Sequence, residues 1–323
     1  MKGHPGWVPI PPGSIIAWPF SHDVHHRDVS DLTPKDRLCH DARTTFPTGQ
    51  VFPVFPIVQM RYSFFGQSGW RSDASQQKEI LFASDRLEHR FRFLQQFAMQ
   101  SLLDQEDQDF GLVILTSQDL PRPHLMKLKE YVGDMLGDRA EVIPRKPSSA
   151  HRQFVRYNWA NLPEEARVIQ IVLDDDDALS TDYMGRIKSE AIAIRERMPE
   201  SVEHFFISMS RGVSAVYRTG DAHPRMYRRE VPYTNLGLAL VSPAWTRASV
   251  FGIAHKKVAR THASFVYNDL RPYYIRCVHG ANDSRAMVDE KSPVPDEEMG
   301  MLVQRFPLLR RVLGPDQLQI AAQ

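Results

Sequence analysis

The sequence predicts an α/β fold in which a mostly parallel sheet continues into a mixed half. Between residues 57 and 173, short apolar runs alternate with longer amphipathic runs, at the spacing of strands joined by right-handed crossover helices. Between residues 204 and 278, strand-like runs outnumber helix-like runs, which is typical of a mixed sheet. A parallel half that passes into a mixed half indicates one continuous domain and not two independent ones.

The first half begins with a buried strand, predicted over residues 57–65. A helix is expected over residues 85–103, because apolar side chains recur there at three- or four-residue spacing, and Ser84 is its predicted N-cap. The wholly apolar run at residues 110–115 is typical of a parallel strand covered on both faces. The other predicted elements of this half are a helix over 125–136, a strand over 140–143, a helix over 149–162 and a strand over 168–173.

The second half is predicted to contain fewer helices. The pattern predicts strands over residues 204–209, 213–217, 236–242 and 272–278, and helices over 182–198 and 248–260. An amphipathic stretch, interrupted by Pro307, follows at residues 296–313. We therefore expect three parts, which are an irregular Pro/His-rich extension at residues 1–56, an α/β domain at residues 57–290 and an amphipathic tail at residues 291–323.

The composition argues against several classes of protein. The 40 Lys and Arg residues nearly balance the 39 Asp and Glu residues, so no large basic excess is available to hold nucleic acid. No run of about 18 apolar residues exists that could span a bilayer. The two cysteines, Cys39 and Cys277, are typical of a reduced cytoplasmic protein. The motifs GxGxxG and GxxxxGK(S/T) are absent, which argues against an ordinary dinucleotide-dependent dehydrogenase and a P-loop NTPase.

The most informative feature is a run of four aspartates, residues 174–177, directly after the predicted strand at 168–173. Ligands of open α/β sheets bind at the carboxyl ends of strands, and a divalent cation usually compensates carboxylates that repel one another. If the chain stays extended, Asp174 and Asp176 point to the same side and can share one metal and one ribose. Oxygen ligands favour Mg²⁺ or Mn²⁺ over zinc. The alternative is a solvated turn in which Asp177 or Ser180 caps the next helix.

These residues carry a resemblance to a known family. A strand that ends in Leu-Asp-Asp-Asp-Asp resembles the D-x-D turn of GT-A glycosyltransferases, and the chain is similar to the bacterial family named putative rhamnosyltransferase. Five segments occur in the order of that family. They are residues 61–63, 86–93, 108–115, 170–178, and 254–260 together with 278–285. The resemblance implies a GT-A-like fold, with a Rossmann-like sheet that continues into an acceptor-side half.

The resemblance also implies an activity and a metal. It implies a glycosyltransferase that depends on Mn²⁺ or Mg²⁺ and moves a sugar from a nucleotide-diphosphate donor to a hydroxyl acceptor. Asp174 and Asp176 would then contact ribose and metal, with Asp176 as the preferred metal ligand and Asp175 beside them in the donor site. His279, at the end of a predicted strand, is the candidate for a further metal ligand. A histidine that only serves the strand end structurally is the alternative.

Further roles are expected for three basic residues and one acid. Arg61 and Arg152 are candidates to bind the base, ribose or diphosphate of the donor, because the guanidinium donates two bonds at once to phosphate oxygens. An inverting reaction also needs a base to take the proton of the acceptor hydroxyl. His255 is our hypothesis for that base and Asp283 is the alternative, whereas a reaction that retains configuration would need neither.

Two other classes of function remain open from the sequence. A carboxylate cluster with Mg²⁺ also serves a nucleotidyltransferase or a phosphate-ester hydrolase. A non-catalytic binding protein could keep the same fold. The acceptor could be a glycan, a lipid-linked molecule or a small molecule.

The location is expected to be cytoplasmic, with a peripheral contact at the inner membrane face as an open alternative. The amphipathic stretch at residues 296–313 could lie on a membrane surface. Packing of this stretch onto the domain is favoured, because Pro307 interrupts a long interfacial helix.

Overall fold

The computed structural model describes residues 54–67, 76–164, 166–280 and 288–322. The greater part of the predicted extension, residues 1–53, therefore lies outside the described residues. Its last three residues, 54–56, already belong to the first strand.

A seven-stranded sheet forms the centre of the molecule. Its strands are β1 (Val54–Tyr62), β2 (Gly111–Ser117), β3 (Ala140–Arg145), β4 (Arg167–Val172), β6 (Phe205–Met209), β9 (Ala239–Pro243) and β10 (Ser264–Tyr267). They lie in the order β10-β6-β9-β4-β1-β2-β3. The four strands β3, β2, β1 and β4 are parallel, whereas β9 runs antiparallel to both β4 and β6. The predicted α/β fold, with a parallel half that continues into a mixed half, is thus confirmed.

A second, four-stranded sheet lies in the C-terminal half. Its strands are β5 (Ala178–Leu179), β7 (Arg211–Val216), β8 (Arg225–Glu230) and β11 (Tyr274–Val278), in the order β5-β11-β7-β8. Strand β11 pairs parallel to β7 and antiparallel to β5. Since β5 follows β4 after only a few residues, the acidic run connects the two sheets.

Nine α-helices complete the described part of the chain. They are α1 (Lys78–Leu81), α2 (Ser84–Phe93), α3 (Gln100–Leu103), α4 (Arg122–Leu136), α5 (Ala150–Asn161), α6 (Tyr183–Arg197), α7 (Val258–Thr261), α8 (Asp296–Arg305) and α9 (Pro315–Ala321). A π-helical segment, Leu94–Met99, joins α2 to α3, so the predicted helix over 85–103 is continuous but locally widened. Ser84 is the first helical residue of α2, and Ala83 stands at the N-cap without a side-chain hydrogen bond.

Three details of the sequence prediction need correction. The predicted helix over 248–260 is wrong, because only a 3-10 turn (His255–Lys257) and the single turn of α7 are helical. Side-chain hydrogen bonds compete with a helix there, since the hydroxyls of Thr246 and Ser249 accept from the backbone N–H groups of Ala248 and Phe251. Strands β8 and β10 were not predicted. Strand β8 carries several arginines, and β10 is a short, half-buried edge strand.

The central sheet is covered on both faces, as its apolar strands predict. Alternate side chains of β1 point to opposite faces, so that Val58 packs with α2, α4 and α6 whereas Ile57 packs with α5. A third apolar cluster joins the four-stranded sheet to the C-terminal stretch, whose inward residues are Met299, Leu302, Val303, Phe306, Leu309 and Leu313. The favoured prediction that this stretch packs onto the domain is confirmed. None of the helices in the described ranges is both long and apolar enough to cross a membrane.

Candidate active site

The four aspartates lie at the carboxyl end of β4, where the sequence placed them, but the chain there is not extended. The backbone N–H of Asp177 donates to the carbonyl of Asp174 at 3.3 Å, which closes a tight turn. We call residues 174–177 the acidic turn. The side chains of Asp174 and Asp176 remain 14% and 13% exposed, while those of Asp175 and Asp177 are fully buried. The two halves of the D-x-D pattern thus still share access to solvent.

Asp174 contacts an arginine of the neighbouring strand. Nη2 of Arg61, near the end of β1, donates to Oδ1 of Asp174 at 2.8 Å. The Arg61 guanidinium also lies over the ring of Phe251, 4.9 Å from its centroid, and its side chain is almost fully buried. The predicted donor-binding Arg61 is therefore brought to the acidic turn, with Asp174 as its partner.

Asp175 is held by Arg90, for which no role was predicted from the sequence. Arg90 on α2 donates from Nε to Oδ2 of Asp175 at 2.9 Å and from Nη2 to Oδ1. Burial raises the pKa of Asp175 to about 7, although the positive charge of Arg90 acts in the opposite direction. Asp175 was expected in the donor site, and in the structure its buried carboxylate forms a two-point ion pair with Arg90.

Asp177 is held by β11. Nη1 of Arg276 donates to its Oδ2 at 2.6 Å, and the backbone N–H of Cys277 donates to its Oδ1 at 3.0 Å. Burial raises the pKa of Asp177 well above its usual range, with Arg276 opposing that shift. The same Nη1 of Arg276 lies 3.6 Å from Oδ2 of Asp174, so one guanidinium reaches both ends of the turn.

Asp176 lies beside the predicted metal ligand His279. Nε2 of His279, at the end of β11, lies 3.1 Å from Oδ2 of Asp176. Burial opposes ionisation of Asp176, but the His279 hydrogen bond and the charges of Arg276, His279 and Arg90 outweigh it and lower the pKa of Asp176 to about 2. Asp176 is thus an anion at neutral pH. The predicted pair of Asp176 and His279 is brought together across 103 residues of sequence.

Charge compensation in the acidic turn differs from what the sequence suggested. The repulsion among four carboxylates predicted a bound cation, but three arginines pair with Asp174, Asp175 and Asp177, and His279 lies within hydrogen-bond distance of Asp176. No role was predicted for Arg90 or Arg276. Arg90 lies in a helix rich in charged residues, whereas Arg276 lies in an apolar strand, where an unpaired charge is costly. An arginine in the otherwise apolar strand β11 was a signal that could have pointed to a buried acid.

The residues present also fit a divalent cation, but only an incomplete protein site. Within the described ranges no three His, Cys, Asp or Glu side chains form a metal-binding group. Asp176 and His279 offer one carboxylate oxygen and one imidazole nitrogen, 3.1 Å apart. Two neighbouring ligands, each about 2.1 Å from one octahedral ion, stand about 3 Å apart. This mixed donor set favours Mn²⁺ over Mg²⁺, and phosphate oxygens of a substrate commonly complete such sites.

The remaining predicted site residues are Arg152, His255 and Asp283. Arg152 is exposed on α5, and among the described residues no hydrogen bond or ion pair joins it to the acidic turn. His255 is half-buried at the start of its 3-10 turn. Burial, and then the positive charges of Lys256 and Arg276, lower the pKa of His255. Asp283 lies outside the described residues.

The acidic turn lies at the carboxyl end of a parallel strand, which is the edge at which open α/β sheets bind their ligands. The chain belongs to the family described as putative rhamnosyl transferase, which it matches over residues 57–291.

Solved structures similar to this chain include two of S. aureus TarS and one of a streptococcal glycosyltransferase. With S. aureus TarS 1–349 the TM-score is 0.37 at 12% identity, and the match covers 70% of this chain and 60% of that chain. With the same TarS fragment in complex with UDP-GlcNAc, the TM-score is 0.38 at 12% identity, with 83% and 70% covered. With the glycosyltransferase GlyE of Streptococcus pneumoniae TIGR4 the TM-score is 0.27 at 14% identity, with 66% and 45% covered. The chain thus spans less than two thirds of the first TarS chain. No curated protein matches it in sequence.

Proposed function

We propose that the protein is a metal-dependent glycosyltransferase that moves a sugar from a nucleoside-diphosphate donor to a hydroxyl acceptor. The observation that carries this proposal is the pair of Asp176 and His279, one carboxylate and one imidazole 3.1 Å apart at the ends of two strands. Membership of the family supports sugar transfer, and this pair is the proposed binding site for Mn²⁺ or Mg²⁺. When bound there with the donor, the ion acts as a Lewis acid for the departing diphosphate.

The transfer exchanges one C–O bond for another. An oxygen of the acceptor hydroxyl bonds to the anomeric carbon of the donor sugar, while the bond from that carbon to the diphosphate oxygen breaks. The leaving diphosphate takes the electron pair, and the acceptor proton passes to a base. We propose Nε2 or Nδ1 of His255 as that base, because its lowered pKa keeps the imidazole neutral at pH 7 and able to accept a proton.

The remaining residues of the turn divide into contact and support. We propose that Asp174 and Arg61 contact the donor's ribose and phosphates. The planar guanidinium of Arg61 lies beside the turn and suits phosphate oxygens. Arg152 stays a candidate for the donor site on the strength of its exposure alone. Asp175 is fully buried against Arg90, so we propose that it fixes the turn and does not touch the donor.

The proposed location is the cytoplasm, which the low cysteine content supports. We do not propose a membrane contact. The apolar side of the C-terminal stretch, which the membrane alternative required, is packed against the four-stranded sheet.

A thermal-shift experiment tests the donor and metal together. UDP, GDP, dTDP and CMP are each added with Mn²⁺ or with EDTA to the wild type and to Asp176→Asn, which keeps the size of the side chain. We expect one nucleotide to raise the melting temperature only with Mn²⁺, and Asp176→Asn to lose that rise. A rise that is equal in EDTA, or equal in the variant, would overturn the assignment of the metal to Asp176.

A further inference from the structure

A cavity of about 670 Å³ adjoins His279, one of the two proposed metal ligands. His279 and Gly280, at the end of β11, form part of its wall. His279 therefore has Asp176 on one side and the cavity beside it. A molecule in this cavity would lie next to the site at which the donor's diphosphate is proposed to bind.

The wall of the cavity is basic. Arg92, Arg218 and Arg311 line it, and Asp221 is the single acid among its described lining residues. The carboxylate of Asp221 accepts a hydrogen bond from the backbone N–H of Arg218. Arg218 also forms an exposed ion pair with Glu290 at 2.7 Å.

The other two arginines have neutral partners. Nη2 of Arg92 donates to Nδ1 of His89 at 3.1 Å, and a nitrogen that accepts this bond carries no proton. Nη1 of Arg311 donates to the amide oxygen of Gln100 at 2.8 Å. No carboxylate of the described residues pairs with Arg92 or Arg311. The cavity thus contains two positive charges that the described part of the protein does not neutralise.

Aromatic rings form another part of the wall. The rings of Phe93 and Tyr217 meet nearly at right angles, with centroids 5.4 Å apart. Phe93 also packs under the imidazole of His279, with centroids 4.3 Å apart. Phe93 is only 4% exposed, so the half-buried ring of Tyr217 is the apolar surface that suits the C–H face of a sugar ring, while a few polar groups fix its orientation.

We propose that this cavity is the acceptor site, and that the acceptor is a sugar or polyol that carries a phosphate or carboxylate group. The inference rests on the proposed function, since it assigns the acceptor of that same site. The donor contacts proposed above, Arg61 and Asp174, lie on the β1 side of the acidic turn, whereas the cavity lies on the side of His279. The charged group of the acceptor binds the arginines, and its hydroxyl then points past His279 toward the site of sugar transfer, where His255, which lies outside the cavity wall, takes its proton.

Calorimetric titration with three small probes tests this assignment. Glucose 6-phosphate, glucuronate and glucose share one ring and differ in charge, and each is titrated at fixed ionic strength. We expect one or both of the anionic probes to bind the wild type at least about tenfold tighter than glucose, the effect of one charge-assisted contact. Binding of the phosphate alone would identify phosphate as the recognised group, and binding of both would identify any compact anion.

Matched arginine variants locate the contact. Arg92→Gln and Arg311→Gln are each expected to lose the preference for the anionic probes. Arg310→Gln is the control, because Arg310 is the exposed neighbour of Arg311 on the same 3-10 turn and does not line the cavity. Melting temperatures without probe check that each variant is folded.

Several outcomes would overturn the proposal. These are equal affinity for glucose and for both anions, failure of both anions to bind at millimolar concentration, or an equal loss in Arg310→Gln. Loss of nucleotide binding in Arg92→Gln and Arg311→Gln would assign the cavity to the donor instead. Failure of the proposed function looks different, because no nucleotide would then stabilise the wild type with Mn²⁺, whatever the sugars do.

Discussion

Nη1 of Arg276 lies 2.6 Å from Oδ2 of Asp177, and this ion pair joins β11 to the end of β4. The side chain of Arg276 is largely buried and that of Asp177 is fully buried. Removal of either partner would therefore leave an uncompensated buried charge, which is costly. The position of the acidic turn relative to His279, which follows Arg276 by three residues on the same strand, depends on this pair.

Removal of one partner is expected to be costly. Arg276→Gln leaves Asp177 buried without its cation, so we expect the free energy of unfolding to fall by about 3–5 kcal/mol. Urea denaturation monitored by circular dichroism measures it. In the double variant Arg276→Gln and Asp177→Asn no charge is stranded, and we expect recovery of part of the loss. A double variant that is as unstable as the sum of both single variants would contradict the pair's importance.

Metal binding is expected to depend on His279 and on a nucleotide. Two protein ligands hold Mn²⁺ weakly, so the electron paramagnetic resonance signal of free Mn²⁺ should fall only slightly with protein alone. With the nucleotide identified by thermal shift, the signal should fall strongly, because phosphate oxygens complete the coordination. His279→Ala should abolish this second effect. His204→Ala, a substitution at a histidine paired with His262 and not with the turn, should leave it unchanged.

The proposed base predicts a specific pH profile. We expect His255→Ala to lower kcat by about 10²- to 10⁴-fold with unchanged nucleotide binding. Because the pKa of His255 lies below its usual value of about 6.5, the wild-type rate should fall only as the pH drops below that value. This acidic limb should be missing from the residual activity of the variant. Unchanged turnover in His255→Ala would remove His255 from the mechanism.

The pair of Tyr62 and His124 predicts a dependence of stability on pH. Nε2 of His124 lies 2.7 Å from the hydroxyl of Tyr62, and burial, followed by the charge of Lys127, lowers the pKa of this histidine although Glu88 opposes the shift. The unfolded state therefore binds a proton more readily than the native state as the pH falls below about 6.5. Stability is lost in that direction.

Comparison with His124→Gln isolates this contribution. Below about pH 6.5 the free energy of unfolding of the wild type should fall more steeply than that of the variant. At pH 8 the two should differ by a constant amount, because His124 is neutral in both states. Parallel curves from pH 8 to pH 5 would contradict the lowered pKa.

The thiol of Cys277 is expected to be unreactive. Burial, reinforced by the negative charges of Asp177 and Asp176, raises its pKa well above the usual value. In a Cys39→Ser background, iodoacetamide at pH 8 should leave Cys277 unmodified in the native protein and modify it in urea, as measured by mass spectrometry. Rapid modification without urea would show that β11 opens at this point.

The sequence predicted the position of the site better than its interior. An apolar strand that ends in four aspartates can be read directly, and the metal pair of Asp176 and His279 followed from the family resemblance. The ion pairs could not be predicted in the same way, because Arg90 and Arg276 lie 85 and 99 positions from their partners and meet them only through the tertiary fold. Local pattern also failed at residues 248–254, where the hydroxyl of Ser249 accepts from the backbone N–H of Phe251 and the chain forms turns in place of a helix.

One continuous helix, which runs from α2 through the π-helical segment Leu94–Met99 to α3, contributes to two cores. An added residue in a helical turn rotates all that follows by about 100°. Leu87 and Phe91 before the segment and Leu102 after it pack in the core of the central sheet, whereas Phe93 and Phe97 pack in the core of the four-stranded sheet.

The same helix carries Arg90 to Asp175. The position of this helix therefore affects both the packing of the two sheets and the position of the acidic turn. Deletion of one residue from the segment would restore a regular helix and rotate the residues after it by about 100° relative to Arg90. The ion pair of Arg90 with Asp175 and the packing of the residues after the segment could then not both be kept.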